Sequence, residues 1–416
     1  MGISTLVVFA RPVRVVRAYV LGWLLGSACM VGFARADILY SWGYNGFGEL
    51  GEGTTVNRSS PGPVSTLSSA ASVGVGGFNS FARTADGHVY GWGYNVFGNV
   101  GDGSTTTRTR PVLLPGITNA TAVTGGYLHA MALRSDGQVY SWGYNASGQL
   151  GRNTSITDPT VPVAIPNLSG ITAISAGFGH SLALDGNHNL FAWGLNGLGQ
   201  LGIGTNLNSA TPVQVGGLPS LGSVAAGKDH SLAVTSDGHV YAWGWNQYGQ
   251  IGDGTTTGRL SPALLPGLSG IVSVAGGYYH SLALTSDGHV FSWGNNDHGQ
   301  IGDGTHVVRS APVSIAGLSN IVQIEAGYAT SYALAADGHL WAWGGNAGGN
   351  LGVGDLVDRL APVEVPAPTG YRFTSIASDS YADHIVATLA PVPSPAGGAA
   401  AALWICSAAW VGRRRR

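Results

Sequence analysis

Residues 271–315 read IVSVAGGYYHSLALTSDGHVFSWGNNDHGQIGDGTHVVRSAPVSI, and this stretch decides the fold. It contains four short runs rich in β-branched and aromatic residues, each bounded by Gly, Asp or Pro, which is typical of β-strands. The runs predict strands at 271–275, 280–284, 289–293 and 312–315. The Asp287-Gly288 pair between the second and third runs predicts a tight hairpin turn of the primed type, because glycine tolerates positive φ.

The same sequence motif recurs along the chain. Trp-Gly dipeptides begin at Trp42, Trp92, Trp142, Trp193, Trp243, Trp293 and Trp343, at steps of 50 or 51 residues. The Asp-Gly pair recurs at Asp86, Asp136, Asp237 and Asp337, and in the fourth copy it lies earlier, at Asp185-Gly186. Four strands per repeat, repeated seven times, predict an all-β protein: a seven-bladed β-propeller of four-stranded antiparallel blades.

The two ends of the repeat region predict how the ring closes. The first copy, ILYSWG from Ile38, lacks the two strands that precede Trp-Gly elsewhere. The missing pair, FTSIASDSYADHIVATL, stands alone at 373–389 with no Trp-Gly after it. We therefore expect the N-terminal strand to complete the last blade, which hides the edges that an open sheet would expose.

The string AGxxHSLALxxDGxVYxWGxNxxGQLGxGT resembles the regulator of chromosome condensation repeat over nearly the whole of residues 37–390. The resemblance implies a seven-bladed propeller. The eukaryotic founder of that family binds nucleosomes and exchanges nucleotide on a small GTPase, but a fold alone does not carry a function. The composition and the ends of this chain argue against that role.

Residues 1–36 have the layout of a secretory signal peptide. Arginines at 11, 14 and 17 precede an apolar run over 18–33, and the small-x-small sequence Ala34-Arg35-Ala36 predicts cleavage before Asp37. An uncleaved membrane anchor is the alternative.

Residues 391–416 form a Pro-rich spacer, an apolar run over 396–412 and a basic end. A run of that length approaches the ~20 residues that span a bilayer. The segment resembles the PEP-CTERM sorting signals of Gram-negative bacteria, which implies an exosortase-like partner and a location in the cell envelope or extracellular matrix. The motif residues would be Pro393, Pro395, Arg413, Arg414, Arg415 and Arg416, although Ser394 replaces the usual acid. A plain C-terminal membrane anchor is the alternative.

The charge balance of the repeat region excludes a nucleic-acid binder. Four of the 19 Lys and Arg residues lie in the first 36 positions and four at the C-terminal end, so eleven remain against all 21 acidic residues. A nucleic-acid partner requires the opposite balance. Cys29 and Cys406 lie in the two ends, so we expect neither disulfide nor thiolate chemistry in the propeller.

The constant residues of the repeat predict structural roles. Each Trp of Trp-Gly is expected to bury its ring between blades, and the Asn of WGxN suits a loop whose backbone it bonds. His129, His180, His230 and His280 occur once per blade, which sets them too far apart to share a metal ion. The same holds for a second set that follows the Asp-Gly turns, His88, His239, His289 and His339. We predict no metal site and no cofactor.

Charged residues of the GDGT loops pair at a fixed spacing of six. The pairs are Glu52/Arg58, Asp102/Arg108, Asp253/Arg259 and Asp303/Arg309. The third copy exchanges the signs, as Arg152/Asp158, and the seventh keeps Arg359 only if Asp355 substitutes for Val353. One carboxylate per loop is too few for calcium, so an ion pair across the loop is the better interpretation.

Variable aromatic residues are predicted to gather at one end of the ring, where the Gxx turns and the WGxNxx loops meet. Large rings on varied loops of a rigid scaffold are typical of binding surfaces; inward packing against neighbouring blades is the alternative. Leu195, Leu198, Lys228 and His298 join them. The predicted binding residues are Tyr44, Phe47, Phe78, Tyr94, Phe97, Tyr127, Tyr144, Phe178, Trp245, Tyr248, Tyr278, Tyr279 and Tyr328.

These observations predict a non-enzymatic, exported binding module whose partner is a protein or a polysaccharide. Two alternatives stay open: a secreted inhibitor like the propellers that block β-lactamases, and a propeller lyase or hydrolase. The sequence has no nucleophile–base signature. An irregular cluster of ionisable groups with shifted pKa values at the ring centre would indicate a catalyst.

Overall fold

The computed structural model describes residues 37–153 and 159–392 and confirms the predicted propeller. These residues form seven four-stranded antiparallel sheets, the blades, arranged around one axis. The innermost strands of neighbouring blades contact one another and line that axis. Within the described ranges we find no helix with the length and apolar character needed to cross a membrane.

The blades follow one another along the chain, with strands numbered in chain order. Blade 1 contains β3 (Ser72–Gly76), β4 (Asn79–Arg83), β5 (Val89–Gly93) and β6 (Arg108–Leu113). Blade 2 contains β7 (Ala120–Gly125), β8 (His129–Arg134), β9 (Val139–Gly143) and β10 (Val163–Ala164). Blade 3 contains β11 (Ile171–Ala176), β12 (His180–Asp185), β13 (Leu190–Gly194) and β14 (Ser209–Gln214).

The remaining blades repeat this order, and the last one is composite. Blade 4 contains β15 (Leu221–Ala226), β16 (His230–Thr235), β17 (Val240–Gly244) and β18 (Arg259–Leu264). Blade 5 contains β19 (Ile271–Gly276), β20 (His280–Thr285), β21 (Val290–Gly294) and β22 (Arg309–Ser314). Blade 6 contains β23 (Ile321–Ala326), β24 (Thr330–Ala335), β25 (Leu340–Gly344) and β26 (Arg359–Val365). Blade 7 contains β27 (Tyr371–Ala377), β28 (His384–Pro391), β1 (Ile38–Gly43) and β2 (Arg58–Pro63).

The ring closes as the sequence predicts. Strand β1 pairs with β28 in antiparallel register, with Ile38 opposite Leu389 and Gly43 opposite His384. The two ends of the propeller sequence therefore share one sheet, and separating them would expose two unpaired strand edges.

The Asp-Gly hairpins form, but their turns are not of the primed type. A primed type I′ turn needs positive φ at both central residues, whereas in the first hairpin only Gly87 has positive φ, at 81°, and Asp86 does not. The Gly87 amide donates to the Thr84 carbonyl at 2.9 Å, which makes a three-residue loop ending in a left-handed glycine. In blade 3 the prediction of a turn at Asp185-Gly186 is wrong by two residues, because His188 takes the left-handed position with φ 66°.

The tryptophan of each Trp-Gly pair donates a hydrogen bond to the preceding blade. All seven rings are fully buried. In blade 4, the Trp243 indole N–H and the Ser231 hydroxyl both donate to the Gln200 carbonyl of blade 3, at 2.9 and 2.8 Å. Burying about 200 Å² of ring contributes at most about 5 kcal/mol, and the indole N–H keeps a partner in the core.

The histidines that recur in the repeat form a belt of hydrogen bonds between blades. His129, His180, His230, His280 and His384 contact Ser181, Ser231, Ser281, Ser331 and Ser80 of the next blade, at 2.8–3.0 Å from Nε2 to Oγ. Each serine hydroxyl already donates to a backbone carbonyl, so the histidine Nε2–H must be the donor in this pair. Burial lowers the pKa of His180 to about 3, which keeps the ring neutral.

The belt explains why two blades depart from the motif. Blade 1 has Asn79 in the histidine position, and the following blade 2 has Ala130 where the serine would stand. Blade 6 has Thr330, and blade 7 has Ile385 in the serine position. The histidine is therefore absent where its partner hydroxyl is absent, as expected if its role is to bond the next blade.

Candidate binding face

The constant asparagine of each WGxN motif fixes the conformation of the loop that follows it. In blade 4, the Asn246 side chain accepts from the Ile251 amide at 2.9 Å and donates to the Thr255 and Thr257 carbonyls at 3.1 Å. The same pattern holds in the other blades whose loop is described in full, for example at Asn45 and Asn346. The loop backbone is thus bonded internally, and the side chains at its variable positions are free to differ.

The predicted ion pairs form where both partners are described. The Asp102, Asp253 and Asp303 carboxylates each lie 2.6 Å from their arginine, and Glu52 pairs with Arg58. In the seventh copy Asp355 does substitute, 2.5 Å from Arg359. Asp158 lies outside the described residues, so the exchanged pair with Arg152 stays a prediction; the Arg152 guanidinium donates to the Ser141 carbonyl at 3.2 Å.

The Gxx turns and WGxNxx loops meet at one end of the ring, as predicted. The Trp245 amide donates to the Asp229 carbonyl at 2.8 Å and the Tyr94 amide to the Phe78 carbonyl at 2.9 Å, which joins the two kinds of loop within a blade. The Asp-Gly turns occupy the other end. There His88, His239 and His289 lie 3.0–3.2 Å from the aspartate of their own turn.

The aromatic side chains of the first end form one continuous cluster, which we call the aromatic cap. Neighbouring ring centroids are 4.2–6.4 Å apart, mostly edge to face. Its members are Phe47, Phe78, Tyr94, Phe97, Tyr127, Tyr144, Phe178, Trp245, Tyr248, Tyr278, Tyr279, Tyr328 and Tyr381.

Tyr381 is the residue that sequence reasoning missed, and it is the centre of the cap. Its ring lies 4.3–5.9 Å from the rings of Phe78, Tyr127, Phe178, Tyr278 and Tyr328, and so it connects both halves of the cluster. It belongs to the turn between β27 and β28, which reads SDSYADH and lacks the Gly of the other copies. Aligning His384 with the other belt histidines is the signal that would have placed it on this face.

The aromatic rings of the cap are only partly buried. They pack sideways against one another, and all are half-buried except Tyr328, which is exposed. This differs from the tryptophans between the blades, which are fully buried. The cap is therefore a surface with an ordered shape rather than a part of the core.

The lone lysine of the propeller is built into the cap. The Lys228 ammonium lies 4.3 Å from the Tyr278 ring centre, 2.9 Å from the Tyr279 hydroxyl and 3.4 Å from the Asp229 carboxylate. Burial acts to lower the Lys228 pKa, but the two tyrosines and Asp229 outweigh it and the net pKa is raised. Lys228 is therefore a cation held by aromatic faces and a carboxylate.

Other predicted residues lie at the margin. Leu198 is exposed and Leu195 half-buried, while His298 lies 3.0 Å from Asp358. Tyr44 takes no part in the ring contacts found among the described residues. Instead it lines a hollow of about 380 Å³ together with Phe78, Tyr328, Tyr381, Gly77 and Asp383.

Beneath the cap, the axis holds a cavity of about 420 Å³ lined by the innermost strands. Two carboxyl groups line it, Glu325 and Asp379, and burial raises the pKa of each to about 8. The Ser380 hydroxyl lines the same space, is buried and has no hydrogen-bond partner among the described residues. The described residues hold no group of three or more His, Cys, Asp or Glu suited to a metal ion.

Several predicted residues lie outside the described part of the chain: Ala34, Ala36, Pro393, Pro395, Arg413, Arg414, Arg415 and Arg416. The signal peptide and the sorting tail therefore stay predictions.

A seven-bladed ring with a variable aromatic face defines the class: a propeller built from Trp-Gly repeats. The model of the regulator of chromosome condensation (RCC1) repeat matches residues 37–83, 86–133 and 136–184, and that of the RCC1-like domain matches 206–381. The chain belongs to the RCC1 repeat family.

Solved structures agree on the fold. Human WBSCR16 is 26% identical, with a TM-score of 0.78 over 86% of this chain and 99% of that one. Yeast RCC1 (Prp20), solved bound to Kap60, is 23% identical, with a TM-score of 0.77 over 87% and 90%. Prp20p from Saccharomyces cerevisiae, described together with its binding properties to Gsp1p and histones, is 23% identical, with a TM-score of 0.77 over 87% of this chain and 93% of that one. The search of curated proteins finds no significant match.

Proposed function

We propose that this protein is a non-enzymatic scaffold that binds a protein partner through the aromatic cap. The observation that carries the proposal is the cap itself, a continuous surface of half-buried rings held on loops that the WGxN asparagines fix. Aromatic side chains present a large, rigid contact area and dominate the energetics of protein interfaces. Exposed apolar patches also favour aggregation, and a protein that keeps such a patch normally uses it to bind a partner.

The structural relatives support a protein as the partner. The two yeast structures are described with protein partners, Kap60 in one and Gsp1p and histones in the other. At 23% identity the likeness concerns the fold, and so the identity of those partners does not transfer. The excess of acidic residues opposes a nucleic-acid surface.

We further propose that the scaffold acts outside the cytoplasm. The proposal rests on the signal-like sequence 1–36 and the sorting-like sequence 391–416. An exosortase-like enzyme would then process the C-terminal end, and the propeller would be held in the envelope or released into the matrix. Mass spectrometry of the protein from a Gram-negative host tests this: an intact Met1 and Arg416 in the recovered protein would contradict it.

The experiment that tests cap binding compares two variants for retention of envelope components. The first replaces Tyr127, Tyr278 and Trp245 with serine; the control replaces His88, His239 and His289, at the opposite end of the ring, with serine. We expect a protein partner to be retained by the wild type and the control and lost from the cap variant. Equal retention by all three would refute the proposal, as would retention of only a polysaccharide.

The acid pair at the axis favours one alternative, a hydrolase or lyase. Glu325 and Asp379 are ionisable groups with raised pKa values at the ring centre, which is the feature we expected of a catalyst. The pair lies in the cavity beneath the cap, where Tyr381 covers the axis. The double variant Glu325→Ala/Asp379→Asn separates the two functions: a scaffold keeps its partner, whereas an enzyme loses turnover.

A further inference from the structure

Blades 4 and 7 place an aspartate at the same position of the cap. The Asp229 carbonyl accepts the Trp245 amide, and the Asp383 carbonyl accepts the Tyr44 amide, both at 2.8 Å. The carboxylates are held alike, since Gln200 donates to Asp229 and Asn350 to Asp383, both at 3.2 Å. The two acids are therefore equivalent in the fold and differ only in their surroundings.

In blade 4 the acid has a cation of its own. Lys228 occupies the first variable position of the turn, with its ammonium beside Asp229 and over the Tyr278 and Tyr279 rings. In blade 7, Ala382 takes the backbone position that Lys228 has in blade 4. The Ala382 carbonyl accepts a hydrogen bond from the Tyr328 amide of the preceding blade, and the Lys228 carbonyl accepts one from the Phe178 amide in the same way. Among the described residues, no Lys or Arg lies within salt-bridge distance of Asp383.

The hollow beside Asp383 has aromatic walls. Tyr44, Phe78, Tyr328 and Tyr381 line it together with Asp383 and Gly77. Gly77 holds the first variable position in blade 1 and adds no side chain to this space. Four aromatic rings and one carboxylate thus surround the hollow.

We propose that the hollow beside Gly77 binds a basic side chain, a lysine or arginine, of the protein partner. The inference rests on the proposed function and names the chemistry that the cap recognises. A cation over aromatic faces contributes about 0.5–2 kcal/mol, more when desolvated, and Asp383 supplies the opposite charge. The Lys228–Asp229 arrangement shows that this cap already accommodates such a group.

The test uses blocked amino acids as probes and the full chain as receptor. Nα-acetyl-lysine methylamide and Nα-acetyl-arginine methylamide carry the cation; the norleucine analogue has the same chain without charge. Titrations are followed by the NMR signals of the tyrosine rings. We expect saturable, millimolar binding of the cationic probes and at least a tenfold weaker response to norleucine.

Three variants locate the site. Asp383→Asn removes the charge and Tyr44→Ala removes one of the aromatic walls of the hollow, and each is expected to weaken binding of the cationic probes at least tenfold. Asp297→Asn makes the same charge change at an exposed position of the same face and is expected to leave binding unchanged. Equal binding of norleucine, or unchanged binding to Asp383→Asn, would overturn the proposal. Thermal unfolding of each variant confirms that it is folded.

The outcome is separable from that of the proposed function. If Asp383→Asn and Tyr44→Ala retain the protein partner at the wild-type level while the serine variant of the cap loses it, the cap function stands and the hollow is not its recognition site. If the serine variant also retains the partner, the proposed function itself fails.

Discussion

The indole N–H of Trp42 donates to the backbone carbonyl of Asn350 at 2.9 Å, across 308 residues of sequence. The bond joins the composite blade 7 to blade 6 in the way that every other Trp-Gly tryptophan joins its blade to the preceding one. Tyr332 of blade 6 donates to the same carbonyl at 2.8 Å, whereas at five other interfaces a serine of the following blade is the second donor. The closing joint therefore keeps the tryptophan bond of the other blade interfaces, and its second donor comes from blade 6 itself.

Glu49 predicts a stabilising substitution. It stands where four other copies have glutamine, and it accepts the Phe47 amide at 2.8 Å as Gln250 accepts the Tyr248 amide. Burial raises the Glu49 pKa to about 7, so stability is lost as the pH rises from about 4.5 to 7. Glu49→Gln is expected to gain roughly 1–3 kcal/mol at pH 8 and nothing at pH 4. Urea unfolding at the two pH values measures this, and no gain at pH 8 would contradict it.

Glu325 predicts a second, larger dependence on pH. The equivalent residues on β15 and β19 are Ala225 and Ala275, so Glu325→Ala suits the fold. The Glu325 pKa is raised to about 8 by burial, and hence wild-type stability falls as the pH rises from about 4.5 to 8. The variant is expected to flatten this slope by up to about 1.4 kcal/mol per pH unit. Glu364→Ala, an exposed site, is the control; identical slopes for both variants would exclude the buried position of Glu325 as the cause.

The histidine belt predicts the opposite dependence in acid. A histidine whose folded pKa is depressed is protonated more readily in the unfolded chain, so stability is lost as the pH falls from about 6.5 toward 3. His180→Asn, which reproduces the residue at Asn79, is expected to make unfolding less sensitive to acid. The exposed His239→Asn should not. Unfolding free energies at pH 4, 5 and 6.5 measure the difference, and parallel curves for the two variants would contradict the assignment.

Ser231→Ala tests the bond between blades directly. The variant leaves the His180 Nε2–H without its acceptor and removes one of the two donors to the Gln200 carbonyl. An unpaired buried donor costs about 1–3 kcal/mol. Ala130 occupies the same position in blade 2 without a histidine behind it. The double variant Ser231→Ala/His180→Asn should therefore recover part of the loss, and a double variant no more stable than the single one would argue against the belt.

Sequence reasoning was sufficient for the parts of the fold that repeat. The period fixed the number of blades, the split copy predicted the pairing of Ile38 with Leu389, and the fixed spacing predicted the Asp253–Arg259 pair. It was insufficient where a copy departs from the motif. Tyr381 lies in a turn longer than the others by two residues, so its position over the axis is visible only in three dimensions.

The axial acids were missed for a related reason. Glu325 lies on a strand whose Gln-Ile-Glu sequence is compatible with an exposed edge, and only the ring brings it beside Asp379. The predicted turn type of the hairpins was wrong for a local reason. An Asp-Gly pair is compatible with both a primed two-residue turn and a three-residue loop, and the register of the two strands selects the three-residue loop.

The central claim is that the ring carries the stability and the aromatic cap carries the binding, and Trp245→Ala/Tyr248→Ala tests it most directly. These two rings contact each other and Tyr279, at centroid distances of 4.5–5.6 Å, and are half-buried. We predict that the free energy of unfolding in urea falls by no more than about 1 kcal/mol, against about 3–5 kcal/mol for the core variant Trp243→Ala. A loss in the double variant as large as that of Trp243→Ala would show that the cap is a part of the core and would contradict the account.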